Sequence, residues 1–455
     1  MNRAAILSAR EQRAQEKQRL LAKWPVIVSL SFNLPGLPKS TPLTQAAFDD
    51  VAQALTHYLC AHRCALHPQP IVHDAAGGHA LWTGRPSFDA VALKALTERF
   101  EGEHPLGRLL DVDIYTPEGP IRSGKNKRCL VCDAPALVCM RTQHHSLETL
   151  RAYCDQQLAG WWNTQQASRH ARMLASNMTR ALLDEVLLTP KPGLVDQQDC
   201  GSHDDMDLPL FVQAISALSP YWERVARQGI AFDGEDGHDA LIALRRLGLE
   251  MEAAMRQATH GINTHKGAIF LGCLAVFAHA HAWRCGSSSH PEDYRRIVRH
   301  LSHDLVTRDM KALHNDHSYG QRLLQTYEDA RVGGPRYQAE HGLPAVFDHG
   351  LPALEAALNS GSSTDTASLH ALLTLMAHVL DTNVLHRSSL SVTHRFMALA
   401  QQAAATLPPR AEDIEHLQAF CRRHWISAGG CADLLAITLF FHYADRATIP
   451  HAAYQ

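Results

Sequence analysis

The 455-residue chain lacks any apolar run near the roughly 20 residues that span a membrane. It also lacks a lysine/arginine-rich tract, and its net charge of −3 gives no electrostatic footprint for nucleic acid. Its eleven cysteines, an odd number, follow no disulfide-scaffold spacing, which fits free thiols in a reducing cytoplasm. The first residues, MNRAAILSAREQRAQEKQRLLAKW, form a charged amphipathic pattern without the apolar centre of a signal peptide. No G-x-x-x-x-G-K-[ST] or G-x-G-x-x-G phosphate loop occurs, and no internal repeat. These absences leave a cytoplasmic protein without nucleic-acid or membrane partners.

What is present divides into two parts. Residues 1–167 mix strand and helix signals: PVIVSLSF (25–32) is β-branched and aromatic, residues 43–62 have helical spacing, and GRLLDVDIYT (107–116) alternates. Residues 168–455 carry almost only helical patterns, at 208–228, 237–258, 266–283, 291–314, 367–380, 389–406, 411–424 and 430–444. Glycine-rich stretches such as VGGP (332–335) punctuate them. Ser168 fits the N-cap of the first of these helices, running to about Leu188. The expected architecture is therefore multidomain, an N-terminal α/β domain followed by an all-α domain.

In the alternating stretch, Leu110, Val112 and Ile114 share one strand face, and Asp111 and Asp113 share the other. Two such carboxylates suit a divalent metal against phosphates, with Gly107 and Arg108 at the entering end; the alternative is an acidic solvent face. Downstream, Cys129 and Cys132 have C-x-x-C spacing, followed by Cys139 and the pair His144–His145. With no second C-x-x-C, and with Cys139 in the apolar run ALVCM, buried thiols are favoured over zinc. On this reading the purified protein holds no stoichiometric zinc.

The second part concentrates polar residues between glycines. In GINTHKGAIF (261–270), Asn263, Thr264, His265 and Lys266 stand between Gly261 and Gly267, a loop suited to close approach by an anion. Upstream, Arg245, Gly248, Glu252, Met255 and Thr259 recur on one helix face, for which the plain alternative is a solvated charge pair. Glu185 precedes the rigid TPKPGLVD loop with Lys191. Further on, CGSHDDMDL gathers His203, Asp204, Asp205 and Asp207, whose acids also fit a helix N-terminus. DTNVLHR (381–387) and SAGGCADLL (427–435), with Asp433, complete the set. Two lysine-bearing loops, an arginine and scattered carboxylates fit a metal-triphosphate site.

REQRAQEKQRLL (10–21), SLSFNLPGLPKS (29–40), GRLLDVDIY (107–115) and RCLVC with APALVCMRTQHHSLETL (128–150) resemble the holo-acyl-carrier-protein synthase of citrate lyase. That enzyme is also called apo-citrate lyase phosphoribosyl-dephospho-CoA transferase. The resemblance implies a nucleotidyltransferase-type domain that passes a phosphoribosyl-dephospho-CoA group to a serine of the citrate lyase acyl carrier (gamma) subunit, with pyrophosphate leaving. It makes Asp111 and Asp113 Mg²⁺ ligands, and Arg108 and Lys39 candidates for phosphate charge. E-x-x-x-TPKPGLVD, G-x-HDDM, LR-x-x-G-x-x-x-E-x-x-M, GINTHKGAIF, GLP (342–344) and GG-x-ADLLA resemble triphosphoribosyl-dephospho-CoA synthase. SAGG departs from that pattern, which commonly has proline before the glycines.

This second resemblance implies that ATP is joined to 3′-dephospho-CoA with release of adenine. Glu185, Asp204 and Glu252 become candidates for base and charge stabiliser. Lys191, Arg245, Asn263, His265 and Lys266 become the phosphate side, with Asp204 and Asp205 as metal ligands. The product of the second part is the substrate of the first. The alternatives are the same chemistry for a malonate decarboxylase carrier, a non-catalytic carrier-binding scaffold, and a helical phosphohydrolase fused to an unrelated nucleotidyltransferase.

Overall fold

A computed structural model describes residues 3–122, 127–287, 290–306 and 334–447. The chain divides into two compact units, Met1–Gln165 and Gln166–His451. The end of the 291–314 helical pattern and the first two residues of VGGP lie outside the described residues.

The first unit is built on an antiparallel sheet of β1 (Val26–Phe32), β2 (Leu66–Pro68), β3 (Val72–Asp74), β4 (Gly77–Gly84), β5 (Leu110–Thr116) and β6 (Gly119–Ile121). Their order is β2-β4-β1-β5-β6, with β3 pairing β4. Since every ladder is antiparallel, the unit mixes helix and sheet without parallel crossovers. One sheet face, with Val28, Leu30, Trp82, Val112 and Ile114, packs into a core shared with Phe48 and Leu55 of the helix Pro42–Ala61. Each large apolar side chain buried to this depth stabilises the unit by about 1.5–3 kcal/mol. That helix starts where the sequence dictates: Thr41 and Thr44 form a reciprocal capping box and Pro42 occupies the first turn. On the other face Ile27 and Leu81 meet Leu20 of the helix Arg3–Leu21.

The second unit is helical in all its described elements. Its innermost helix, Lys266–Arg284, is buried nearly all round, with Leu271, Leu274 and Phe277 among its core residues. It packs against the helices Leu208–Ala231, Gly237–Ala258, Pro291–Leu301 and Gly429–Arg446. An all-round apolar helix of this kind belongs at a bundle centre.

One boundary differs from expectation. Ser168 caps nothing, because a single helix runs from Leu147 to Leu187 through the division between the units. The polar, glutamine-rich stretch 156–167 has no glycine pair or proline to stop a helix, and glutamine is a good helix former.

Candidate active sites

In the first unit, the alternation of β5 sets Asp111 and Asp113 half-exposed on the face opposite the buried Val112 and Ile114. Their cross-strand partners on β1 are Ser31 and Ser29, so this face is polar at its middle. Three lysines converge on it. Lys127 is ion-paired with Asp111, Lys94 Nζ lies 3.9 Å from Asp113 Oδ1, and Lys17 Nζ donates to Tyr115 Oη at 3.2 Å. Burial, followed by the neighbouring Asp111 charge, pushes the Asp113 carboxyl above its ordinary value.

Val112, paired with Leu30 of β1, also has its backbone bonded by two side chains. Lys94 Nζ donates to the Val112 carbonyl and the Val112 N–H donates to Glu101 Oε1, both at 2.6 Å. Two hard carboxylates side by side on one strand face make a donor set that fits Mg²⁺. The other residues named from sequence are engaged elsewhere. Arg108 donates to the carbonyls of Cys129 and Cys132 at 3.2 and 3.3 Å and to Asp133 at 2.7 Å. Lys39 donates to the Leu34 carbonyl. Of the lysines beside the aspartates, Lys17 lies within REQRAQEKQRLL, whereas Lys94 and Lys127 fall outside the quoted stretches.

The second unit contains a cavity of about 680 Å³, within the usual range of small-molecule sites. Glu185, Lys191, Arg245, Glu252, Asn263, His265 and Lys266 all line it, together with Gly248, Gly267, Thr382, Asn383, Arg387, Gly429, Gly430 and Asp433. The Arg245–Glu252 face therefore fronts the cavity. Asp204 and Asp205 are exposed and neither lines it; from that stretch it is His203 and Met206 that do. His203 Nε2 sits 2.8 Å from Ser427 Oγ, and Arg387 donates to the Ser202 carbonyl at 2.8 Å. Asp205 Oδ1 lies 3.7 Å from Nδ1 of the cavity-lining His203, so the acidic pair neighbours the cavity without lining it.

The cavity floor is an ion pair. Lys191 Nζ donates to Glu185 Oε1 at 2.6 Å, with side chains only 2% and 5% exposed. Lys191 is held from its backbone as well, its N–H donating to Asp196 Oδ2 at 2.9 Å. Lys191 is thus spoken for by Glu185, and Lys266 is the more open cation, 3.6 Å from Glu252. Asn263 Oδ1 accepts the Lys266 N–H at 3.1 Å, just ahead of the N-cap residue His265. Burial, then the Lys191 charge, lowers the His265 imidazole to about 3, so the ring is neutral; its Nε2 is buried without a hydrogen-bond partner.

Asp433 lines the cavity as well. Burial, then the charges of Glu185 and Asp381, push its carboxyl well above the carboxylate range. It faces the first turn of Lys266–Arg284, where the Ala268 N–H stabilises its charged form. Gly267 makes this approach possible: a Cβ there would stand 2.0 Å from Asp433 Oδ2. Gly430 plays the matching part beside Asp381, whose Oδ2 accepts the Cys431 N–H at 2.9 Å. Gly267→Ala is expected to displace the Asp433 carboxylate and lower adenine release about tenfold or more, with a change in melting temperature of only a few degrees. Adenine release at the parent rate would separate Asp433 from the chemistry.

Comparison with known proteins divides the chain similarly. Residues 1–161 match the family model "CitX: Apo-citrate lyase phosphoribosyl-dephospho-CoA transferase", and residues 171–450 match "CitG: ATP:dephospho-CoA triphosphoribosyl transferase". The chain is 28% identical over 470 residues to Protein CitXG of Leuconostoc mesenteroides subsp. cremoris, covering 97% of this chain and 96% of that protein. It is 31% identical over 456 residues to Protein CitXG of Haemophilus influenzae, with 96% and 95% covered. A probable 2-(5''-triphosphoribosyl)-3'-dephosphocoenzyme-A synthase of Photobacterium profundum is 37% identical over 269 residues, 57% of this chain and 83% of that protein. The chain belongs to the family that joins the citrate lyase phosphoribosyl-dephospho-CoA transferase and the triphosphoribosyl-dephospho-CoA synthase in one polypeptide.

Proposed function

We propose that the two activities of the family are divided between the units. The cavity of the second unit joins ATP to 3′-dephospho-CoA and releases adenine. The acidic face of β5 in the first unit, of nucleotidyltransferase type, then transfers the phosphoribosyl-dephospho-CoA group to a serine of the citrate lyase acyl carrier subunit. The observation that carries this reading is the convergence of Glu185, Arg245, Glu252, His265 and Lys266, from three separate sequence motifs, on one cavity.

In the synthase reaction the 2′-hydroxyl of dephospho-CoA attacks C1′ of the ATP ribose as the bond to adenine breaks. Positive charge develops on the ribose, so carboxylates are needed at the reacting centre and cations at the unreacted triphosphate. Asp433, fixed at the first turn of Lys266–Arg284, would take the hydroxyl proton and pass it to the departing base, so that neutral adenine leaves. Glu252, which also lines the cavity, would stabilise the ribosyl cation. Lys266 and Arg245 hold the triphosphate, and the Lys191–Glu185 pair keeps the floor rigid rather than touching phosphate. Neutral His265 supplies a buried ring nitrogen for a hydroxyl or the leaving base.

In the transferase reaction the carrier serine attacks the phosphate next to the ribose and pyrophosphate leaves. Asp111 and Asp113 would hold Mg²⁺, which neutralises phosphate charge when bound. Lys127, Lys94 and Lys17 surround the same face and complement the departing pyrophosphate.

Lys266→Ala tests the synthase assignment. Losing one charge-assisted phosphate contact of about 1.5–3 kcal/mol should lower adenine release about ten- to a hundredfold. ATP saturation should be affected more than dephospho-CoA saturation, and transfer from pre-made triphosphoribosyl-dephospho-CoA should be unchanged. Adenine release within about twofold of the parent, with the same ATP dependence, would make Lys266 an ordinary exposed lysine.

A further inference from the structure

Spacing alone favours buried thiols at Cys129, Cys132 and Cys139, but their arrangement in space points the other way. One ligand atom from each of Cys129, Cys132, Cys139 and His145 lies within 4.8 Å of all the others. Bonds of about 2.3 Å to sulfur set ligand–ligand edges of about 3.8 Å around a tetrahedral zinc. The Cys132 and Cys139 sulfurs are 3.4 Å apart, far beyond the roughly 2.05 Å of a disulfide. His145 Nε2 is sealed from solvent and has no hydrogen-bond partner, an expense that a metal–nitrogen bond removes.

The backbone around the four residues is shaped for a metal as well. The Cys129 N–H donates to the Ala134 carbonyl and the Ala136 N–H to the Lys127 carbonyl, both at 2.8 Å, closing a tight knuckle. Within it, the N–H groups of Cys132 and Val131 hydrogen-bond the Cys129 sulfur. The short helix Ala136–Thr142 then carries Cys139, and a left-handed Gln143 (φ 50°) ends it and turns the chain back toward His145. A four-residue hydrogen-bonded knuckle, a helix and a sharp reversal thus deliver four ligands to one point.

We propose that Cys129, Cys132, Cys139 and His145 hold a structural zinc ion in a closed tetrahedral site. On binding, the three thiols give up their protons and the thiolates with neutral imidazole fill the coordination sphere. The site is positioned to serve β5. Arg108, at the entrance to that strand, donates to the carbonyls of the ligands Cys129 and Cys132, and Lys127, two residues before Cys129, is paired with Asp111. The metal fixes the knuckle, and the knuckle holds Lys127 against the acidic face; the ligands themselves are not catalytic residues.

The test is metal analysis of the full chain purified under reducing conditions without chelator. About one zinc per chain is expected, and replacement by Co²⁺ should give the intense visible and thiolate charge-transfer absorption of tetrahedral coordination. Cys132→Ser and His145→Ala should each lose zinc from protein whose second unit still releases adenine at the parent rate. Chelator treatment of the parent should lower transfer to the carrier, with recovery on adding Zn²⁺. Zinc far below stoichiometry together with no tetrahedral Co²⁺ spectrum would overturn the site, as would a Cys132–Cys139 disulfide in the freshly reduced, purified chain. These metal and spectral readouts stand apart from the assignment of the two activities: zinc present without an effect on transfer would keep the site and remove its link to Lys127.

Discussion

Replacing Asp111 by asparagine is expected to lower transfer to the acyl carrier about a hundred- to a thousandfold, the range seen when one preorganised charge contact is removed from a transition state. The same result is expected for Asp113→Asn. Each substitution keeps the shape of the side chain but removes the charge that would bind a divalent cation, and each leaves a lysine, Lys127 or Lys94, without its acidic neighbour. The fold should survive, because the core face of β5 is carried by Val112 and Ile114, which are fully buried. Adenine release should persist at the parent rate, since no residue of the second unit changes. Transfer near the parent level in both variants would return the pair to a solvent-facing acidic strand.

The Lys191–Glu185 pair should dominate the stability of the helical unit. Lys191→Met leaves the Glu185 carboxylate buried without its partner, beside Asp433, and is expected to lower stability by about 3–5 kcal/mol in urea unfolding of that unit. Adding Glu185→Gln should return most of that loss, because two buried charges have then been removed together. Adenine release should stay low in the single and the double variant alike, as the floor has lost the geometry that sets Asp433. A Lys191→Met chain within about 1 kcal/mol of the parent would mean the pair behaves like an exposed one.

Much of this was legible in the residues. Helical spacing located Gly237–Ala258, Lys266–Arg284, Ala411–His424 and Gly429–Arg446 to within about two residues, the usual uncertainty of helix ends. These are long segments whose periodicity, caps and glycines agree. By contrast β4 was not visible: it begins with Gly77 and Gly78, which read as a turn, yet Gly78 is needed because Phe48 packs where a Cβ would be. The cavity was legible because polar residues between glycines have few uses inside a helical bundle. What sequence could not convey was partnership. Lys191 and Lys266 look alike as loop lysines, but one is sealed against Glu185 and the other is open beside Glu252. In the same way, Asp204 and Asp433 are both acids beside glycine-containing turns, and only the three-dimensional path of the chain puts the second in the cavity. The cysteines repeat the lesson, since four ligands brought together by a knuckle and a reversal leave only one C-x-x-C in the sequence.

The unbroken helix Leu147–Leu187 has a consequence for how such a polypeptide can be taken apart. Fused enzymes are ordinarily joined by a loop that a protease can enter, and nicking there releases the parts intact. Here each peptide N–H at the junction is occupied by a carbonyl one turn earlier, so cleavage has to wait for the helix to open locally. A polypeptide begun at Gln166 would start in mid-helix, with the N–H groups of its first turn unsatisfied and no capping side chain ahead of them. Separating the activities by dissection therefore calls for a new N-cap at the cut, and gene fission at this point demands a compensating change in sequence that a cut through a loop does not.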